Sequence, residues 1–247
     1  MYSNNISRTG KRMKMCFSQK TLILFAACIA IVLSACSSLD GTEKQQCLDA
    51  MEKLADQSQV HLISTTLVGE EPDHLEESAV SEYWISGQDW ASCRTTSGSD
   101  ALWQIVVTGE TFGAMEISDQ RMWQTTTANT QGPPSWIPPV DLGSYNVVSE
   151  KKKDDSYIIT LTADIAETTP GSYGNVAYSD YQVVFSLDIN GTIRRFEQSF
   201  CTSLPQKDGS ISNVYWKQVM EYPDFSDGEI VAFLQSLYQE AVAENSD

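Results

Sequence analysis

The sequence predicts an α+β domain, in which a curved antiparallel sheet of about seven to nine strands packs against an N-terminal and a C-terminal amphipathic helix. Three observations carry this reading. Apolar and polar residues alternate through most of the stretch from Val60 to Tyr222. Helical spacing of apolar residues is found at the two ends of that stretch. Asn190-Gly191 stands between two alternating segments, the position of a tight hairpin. A sheet that buries one face must cover it, and the two helices are the available covers.

Thr42 with Gln45 matches a capping box, and Leu48, Met51, Leu54 and Ala55 follow at helical spacing with Cys47 one step around. This stripe predicts core. Val60 to Val68, rich in Val, Ile, Leu and Thr, predicts a strand, and Gly69 to Glu77 an acidic connection. The connection lacks the Asp-x-Asx-x-Asx-Gly order of a calcium loop, so it is read as solvated. Tyr83 to Arg94, Leu102 to Thr108, Thr111 to Ile117 and Arg121 to Thr127 read as a meander, with turns at Thr108-Gly109-Glu110 and Ser118-Asp119-Gln120. The proline-rich stretch Gly132 to Pro139 cannot donate the amides of a central strand. It is either a rigid cover over one end of the core or an exposed recognition loop presenting Trp136.

In the second half, Tyr145 to Ser149 leads into a charged turn, Glu150 to Asp155. Tyr157, Ile159, Leu161, Ala163 and Ile165 then share one face of a half-buried strand. After a loop from Thr168 to Asp180, Tyr181, Val183, Phe185, Leu187 and Ile189 share one face of the next. Asn190-Gly191 suits a type I′ turn, with positive φ at both central residues. Thr192 to Phe200 returns, and Val214 to Tyr222 brings Trp216 and Met220 to one side. Ser226 to Glu229 is a second capping box, with Asp227 and Glu229 suited to the positive end of a helix carrying Ile230, Phe233, Leu234, Leu237, Tyr238 and Ala241 on one stripe.

Ahead of the domain lie Lys11, Arg12, Lys14 and Lys20, then an apolar run from Leu22 to Leu33, then Leu33-Ser34-Ala35-Cys36. The run is shorter than the ~20 residues that span a bilayer and suits an export signal. Its last four residues resemble the lipobox of bacterial lipoproteins. That resemblance implies cleavage between Ala35 and Cys36 and a diacylglyceryl thioether on Cys36. Residues 1–35 are then a signal peptide, 36–41 a tether and 42–247 a single extracytoplasmic domain. Two acyl chains hold a protein stably, so the membrane contact is the lipid itself, at the cell membrane or at the outer membrane of a host with two. In element order the domain is similar to half-barrel lipoproteins that carry lipid or present a hydrophobic cleft.

Removing residues 1–35 takes away five bases and no acid, leaving 11 Lys and Arg against 33 Asp and Glu. Such a surface repels phosphate backbones, which argues against nucleic-acid binding. Cys47, Cys93 and Cys201 remain beside Cys36. Three thiols cannot all pair within one chain; Cys93 with Cys201 is the preferred disulfide, with three buried free thiols as the alternative. No CxxC spacing occurs and His61 and His74 are the two histidines, so neither metal nor cofactor is expected. GxSxG, HExxH, GxGxxG and GxxxxGK are absent from the mature region, so no catalytic residue is assigned and the domain is read as non-enzymatic.

The functional signal is aromatic. Trp84, Trp103, Trp123, Trp136 and Trp216 are candidate ligand-binding residues, since flat rings on a sheet bury apolar area without charge. Two functions follow. One is a tethered binding protein for an apolar or amphipathic small molecule, held in a cavity lined by several tryptophans. The other is a surface module that contacts an envelope protein through an exposed patch around Trp136.

Overall fold

The computed structural model describes residues 42–126, 132–153, 156–165, 167–226 and 228–246. The leader, Cys36 and Asp227 lie outside the described residues. Helix α1 spans Thr42–Ala55 and helix α2 Glu229–Glu244. Between them run β1 (Gln59–Glu71), β2 (His74–Ser86), β3 (Asp89–Thr96), β4 (Ala101–Val107), β5 (Glu110–Ile117), β6 (Gln120–Thr125), β7 (Asn146–Lys153), β8 (Ser156–Ala163), β9 (Glu167–Gly171), β10 (Gly174–Asp188), β11 (Ile193–Pro205) and β12 (Ile211–Glu221). These twelve described strands form one open, curved antiparallel sheet, in the order β6-β5-β4-β3-β2-β1-β12-β11-β10-β8-β7, with β9 paired to β10. The α+β class is as expected, but the count exceeds seven to nine.

The extra strands come from segments that their polarity disguised. Tyr83 to Arg94 is two strands, split by a two-residue turn with Gly87 at φ 62°. The acidic stretch Gly69 to Glu77 is the tip of the β1–β2 hairpin, and the loop from Thr168 is β9 turning into β10. Cross-strand amide pairing beyond the core edge holds these tips extended although their side chains face water. Type I′ geometry occurs at the two meander turns, with positive φ at Thr108 and Gly109 and at Ser118 and Asp119. At Asn190-Gly191 it does not: of the pair, Gly191 alone has positive φ, at 72°. The turn is a three-residue loop with a bulge, because Asp188 Oδ1 accepts the amides of Asn190 and Thr192, both at 2.9 Å.

Of the two expected capping boxes the first does not form and the second forms by half. Thr42 lies inside α1, and Gln45 donates to Asp49 at 2.7 Å instead of reaching back. At α2 the cap position is Gly228, while Glu229 reaches back to accept from the Ser226 amide and hydroxyl, both at 2.9 Å. The buried centre of α1 is Cys47, Ala50 and Leu54, and Ala55 is exposed.

Strand alternation divides the core between the two faces of the sheet. Val60, Leu62, Ile85 and Trp90 point to the face where α1 packs, together with Leu161, Phe185, Phe196 and Met220. Their sequence neighbours His61, Trp84 and Ala91, with Ile105 as the cross-strand partner of Ala91, point the other way, where α2 packs through Ile230, Leu234, Leu237 and Ala241. The helices therefore cover opposite faces, α1 over the β7–β12 half and α2 over the β2–β6 half. The free edge of β6 is closed by the end of α2. Glu244 accepts the Trp123 amide at 3.0 Å, and Asn245 accepts the Thr125 amide at 3.1 Å. The opposite edge strand, β7, carries Lys151 and Lys152, a common guard against strand addition.

Candidate functional site

The five proposed tryptophans do not converge on one site. Trp84, Trp103 and Trp123 lie on the α2 face, and their job there is packing. His61 stacks on Trp84 at 5.4 Å, Trp84 on Trp103 at 5.8 Å, and the Arg121 guanidinium covers Trp103 at 4.3 Å. Phe233 of α2 leans on Trp84 at 4.5 Å, and Trp123 Nε1 donates to Glu240 at 2.9 Å. His61 also pairs with Glu82 at 2.7 Å. Trp136 is not displayed to solvent in a recognition loop. Its indole N–H donates to the Leu54 carbonyl at 3.0 Å, at the end of α1, and its own carbonyl accepts from the Tyr222 hydroxyl at 2.8 Å. The proline-rich segment is thus the rigid cover, and within it Pro138 is buried.

Trp216 differs from the rest. It is half-buried on the α1 face, at the end of the long strands away from the buried Val60–Ile85 pair. Its cross-strand partner is Phe200, with rings 6.4 Å apart and 13° from parallel. Phe200 continues to Tyr181 at 5.7 Å and 28°, and to Tyr178 at 6.1 Å. Four rings on β10, β11 and β12 thus form a shelf. Thr202, buried beside it, orients the indole: Trp216 Nε1 donates to Thr202 Oγ1 at 3.0 Å, and that hydroxyl donates to the Val214 carbonyl at 3.1 Å. With its N–H already engaged, Trp216 offers its ring rather than a hydrogen bond.

The shelf is electrically neutral in its centre and acidic at its margin. Burial pushes the Tyr181 phenol up to about 12, with Glu167, Tyr145 and Tyr178 adding to it. Burial likewise raises Tyr145, against an opposing hydrogen bond with Gln198. Gln198 and Gln218 lie one pair further along the same face, and Gln218 donates to Ser64 at 3.1 Å. A cleft of about 510 Å³ opens at this end of the strands, but Thr162, Gln182 and Ser199 in its wall alternate with the shelf residues and place it with Asp164 and Asp180 on the reverse face, whereas Glu167, paired with Tyr178, is the acid at the shelf's own margin. The arrangement offers stacked apolar faces, neutral amides and one carboxylate, Glu167. None of the three other clefts described contains a tryptophan, so the expected cavity lined by several tryptophans is replaced by this open shelf.

Phe200, Tyr178 and Tyr181 escaped the sequence reading, which followed tryptophan alone. The signal was in the pairing: three aromatics and Trp216 fall at the same end of three consecutive strands. The expected Cys93–Cys201 disulfide is absent, and both thiols and Cys47 are free. Cys93 lies on β3 and Cys201 on β11, with β2, β1 and β12 between them, which is roughly 19 Å at the spacing of paired strands. Burial holds Cys47 up to about 12 and Cys93 up to about 11, so neither is an activated nucleophile. No group of three potential metal ligands occurs among the described residues.

No protein-family model matches the chain, and no curated protein does. Among solved structures, it is similar to a LolA superfamily protein from Nitrosomonas europaea at 13% identity, covering 76% of this chain and 96% of that one with a TM-score of 0.24. A domain from Vibrio parahaemolyticus, described as an outer membrane lipoprotein-sorting protein, matches at 9% identity over 78% of this chain and 100% of its own, with a TM-score of 0.23. Superpositions this loose bear on neither fold nor function, and the reading that follows rests on the residues.

Proposed function

We propose that this is a non-catalytic binding protein of the cell envelope, lipid-anchored through Cys36, that takes an apolar or amphipathic ligand on the Tyr178–Tyr181–Phe200–Trp216 shelf. The observation that carries the reading is the row of stacked, half-buried rings. Apolar area left open on a sheet and already oriented costs little to order on binding. Glu167, which pairs with Tyr178 at the margin, repels an anionic headgroup, which favours a neutral or cationic amphiphile. The anchor rests on the lipobox resemblance, and no helix among the described residues is long and apolar enough to cross a membrane.

Titration of the purified protein with a monoacylglycerol, an alkylammonium and a fatty acid of equal chain length tests this, read by tryptophan fluorescence. The neutral and cationic amphiphiles should bind at least tenfold more tightly than the fatty acid, and Trp216→Ala or Phe200→Ala should remove that binding. Equal affinity in both variants would refute the shelf.

A further inference from the structure

Four large apolar side chains lie exposed side by side on the other half of the sheet. Leu102 is 52% exposed, Met115 43%, Met122 48% and Ile117 41%. Leu102 pairs with Met115 and Met115 with Met122, so three of them form a row across β4, β5 and β6. Ile117 is two residues along from Met115 on the same face. This is the face on which α1 packs further along the sheet, and it is opposite the one that α2 covers.

Charge sets the patch apart. The positions of β3 to β6 that point to this face, from Trp90 through to Gln124, contain one charged residue, Arg94, and no acid. The chain carries 33 acids, and the reverse face of the same strands holds Asp89, Glu110 and Glu116. Acids return at the border: Asp100 in the β3–β4 loop and Asp119 in the β5–β6 turn stand at the same end as Leu102 and Ile117, where they outnumber Arg94, the cross-strand partner of Leu102. A complementary partner is apolar in its middle and basic at one end.

We propose that this patch docks a cationic amphipathic helix of a partner protein, a role beyond ligand binding on the shelf. Shape and size select that occupant. A strand cannot add at β6, because Glu244 and Asn245 already take its edge amides. Three strands over about five residues give a footprint on the order of 200 Å², well under the ~800 Å² per partner of a stable dimer, and a helix about 10 Å across fits it. A second copy would also bring a like net charge of −17 against this one. Helices are the cover this sheet already uses twice, and Leu and Met side chains adapt to an incoming apolar ridge.

The probe is a 14-residue Leu/Lys peptide with an apolar face, compared with a scrambled peptide of the same composition, each titrated against the full-length protein by fluorescence anisotropy. The designed peptide should bind at least tenfold more tightly than the scramble. Leu102→Gln/Met115→Gln/Met122→Gln, which extends the run of Gln104, Gln120 and Gln124, should remove that advantage with unchanged circular dichroism. Trp216→Ala should leave it intact, which separates this site from the shelf. Equal binding of the two peptides would overturn the proposal, as would retention of the advantage in the triple variant. A wild-type dimer that the triple variant dissolves would assign the face to a second copy instead, and loss of binding to phosphatidylcholine vesicles in that variant would assign it to a lipid surface; either result contradicts the partner helix.

Discussion

Trp216 lies across from Phe200 with its ring plane 13° from parallel, and its indole N–H is fixed on Thr202, whose hydroxyl is in turn fixed on the Val214 carbonyl. Thr202→Val keeps the shape and leaves two polar groups unpartnered. It should cost about 1–3 kcal/mol by urea denaturation. Because the indole then loses its orientation, amphiphile affinity should also fall several-fold, a change that Thr169→Val at the shelf's outer margin should not produce.

Arg121 ties α2 to the sheet from three sides: it covers Trp103 and pairs with Glu116 at 2.9 Å and Glu240 at 3.0 Å. Arg121→Met retains the apolar stem and removes the charge. A loss of about 1–2 kcal/mol is expected in low salt, shrinking as ionic strength rises, from chemical denaturation at two salt concentrations.

Two carboxylates make stability fall in acid. Burial alone would raise Glu197, but hydrogen bonds from Lys217 and Arg195 outweigh it and hold the carboxyl below its ordinary value. Asp188 is likewise lowered overall: burial opposes, while the Thr192 and Asn190 amides and Arg194 prevail. A carboxyl with a depressed folded pKa stabilises above its unfolded value and loses that contribution as pH falls through the folded one. Melting temperature should therefore hold from neutral pH down to the ordinary carboxylate range and drop below it. Asp188→Asn, which weakens the β10–β11 loop, should lower stability at neutral pH by about 1–2 kcal/mol and flatten the acid drop.

Burial and separation predict that Cys47, Cys93 and Cys201 all remain thiols. Alkylation in denaturant should add three groups to these positions with or without prior reduction, whereas folded protein should label slowly, since Cys47 and Cys93 are held well above neutral. An intact mass two units light would contradict this.

The end of α2 closes the β6 edge through Glu244 and Asn245. Glu244→Ala/Asn245→Ala uncovers those amides. Concentration-dependent association, seen by light scattering and absent in the parent, is the expected result.

How much of this was written in the sequence depends on the interaction that decides each residue. Ile159, Leu161 and Ala163, or Ile230, Leu234 and Leu237, are set by burial on one face, and periodicity displays that directly. Glu70, Glu71 and Glu76 are strand residues only because a neighbouring strand offers amides, and no local pattern records it. Asn190 misleads because its turn is decided by Asp188, two residues away. For the site, Trp216 was legible as a flat apolar ring. Its relation to Phe200 and Tyr181 depends on register and on the irregularity in β10 between Ser179 and Gln182, and Trp84 and Trp136 were indistinguishable from it until the helices were placed.

Native mass spectrometry of the protein purified from its own host, set against the same spectrum of Phe200→Ala/Trp216→Ala, tests the shelf most directly. The account predicts a neutral or cationic amphiphile carried by the parent, lost on denaturation and missing from the variant. The same adduct on a folded variant, or a bare parent that also takes up no added amphiphile, would contradict it.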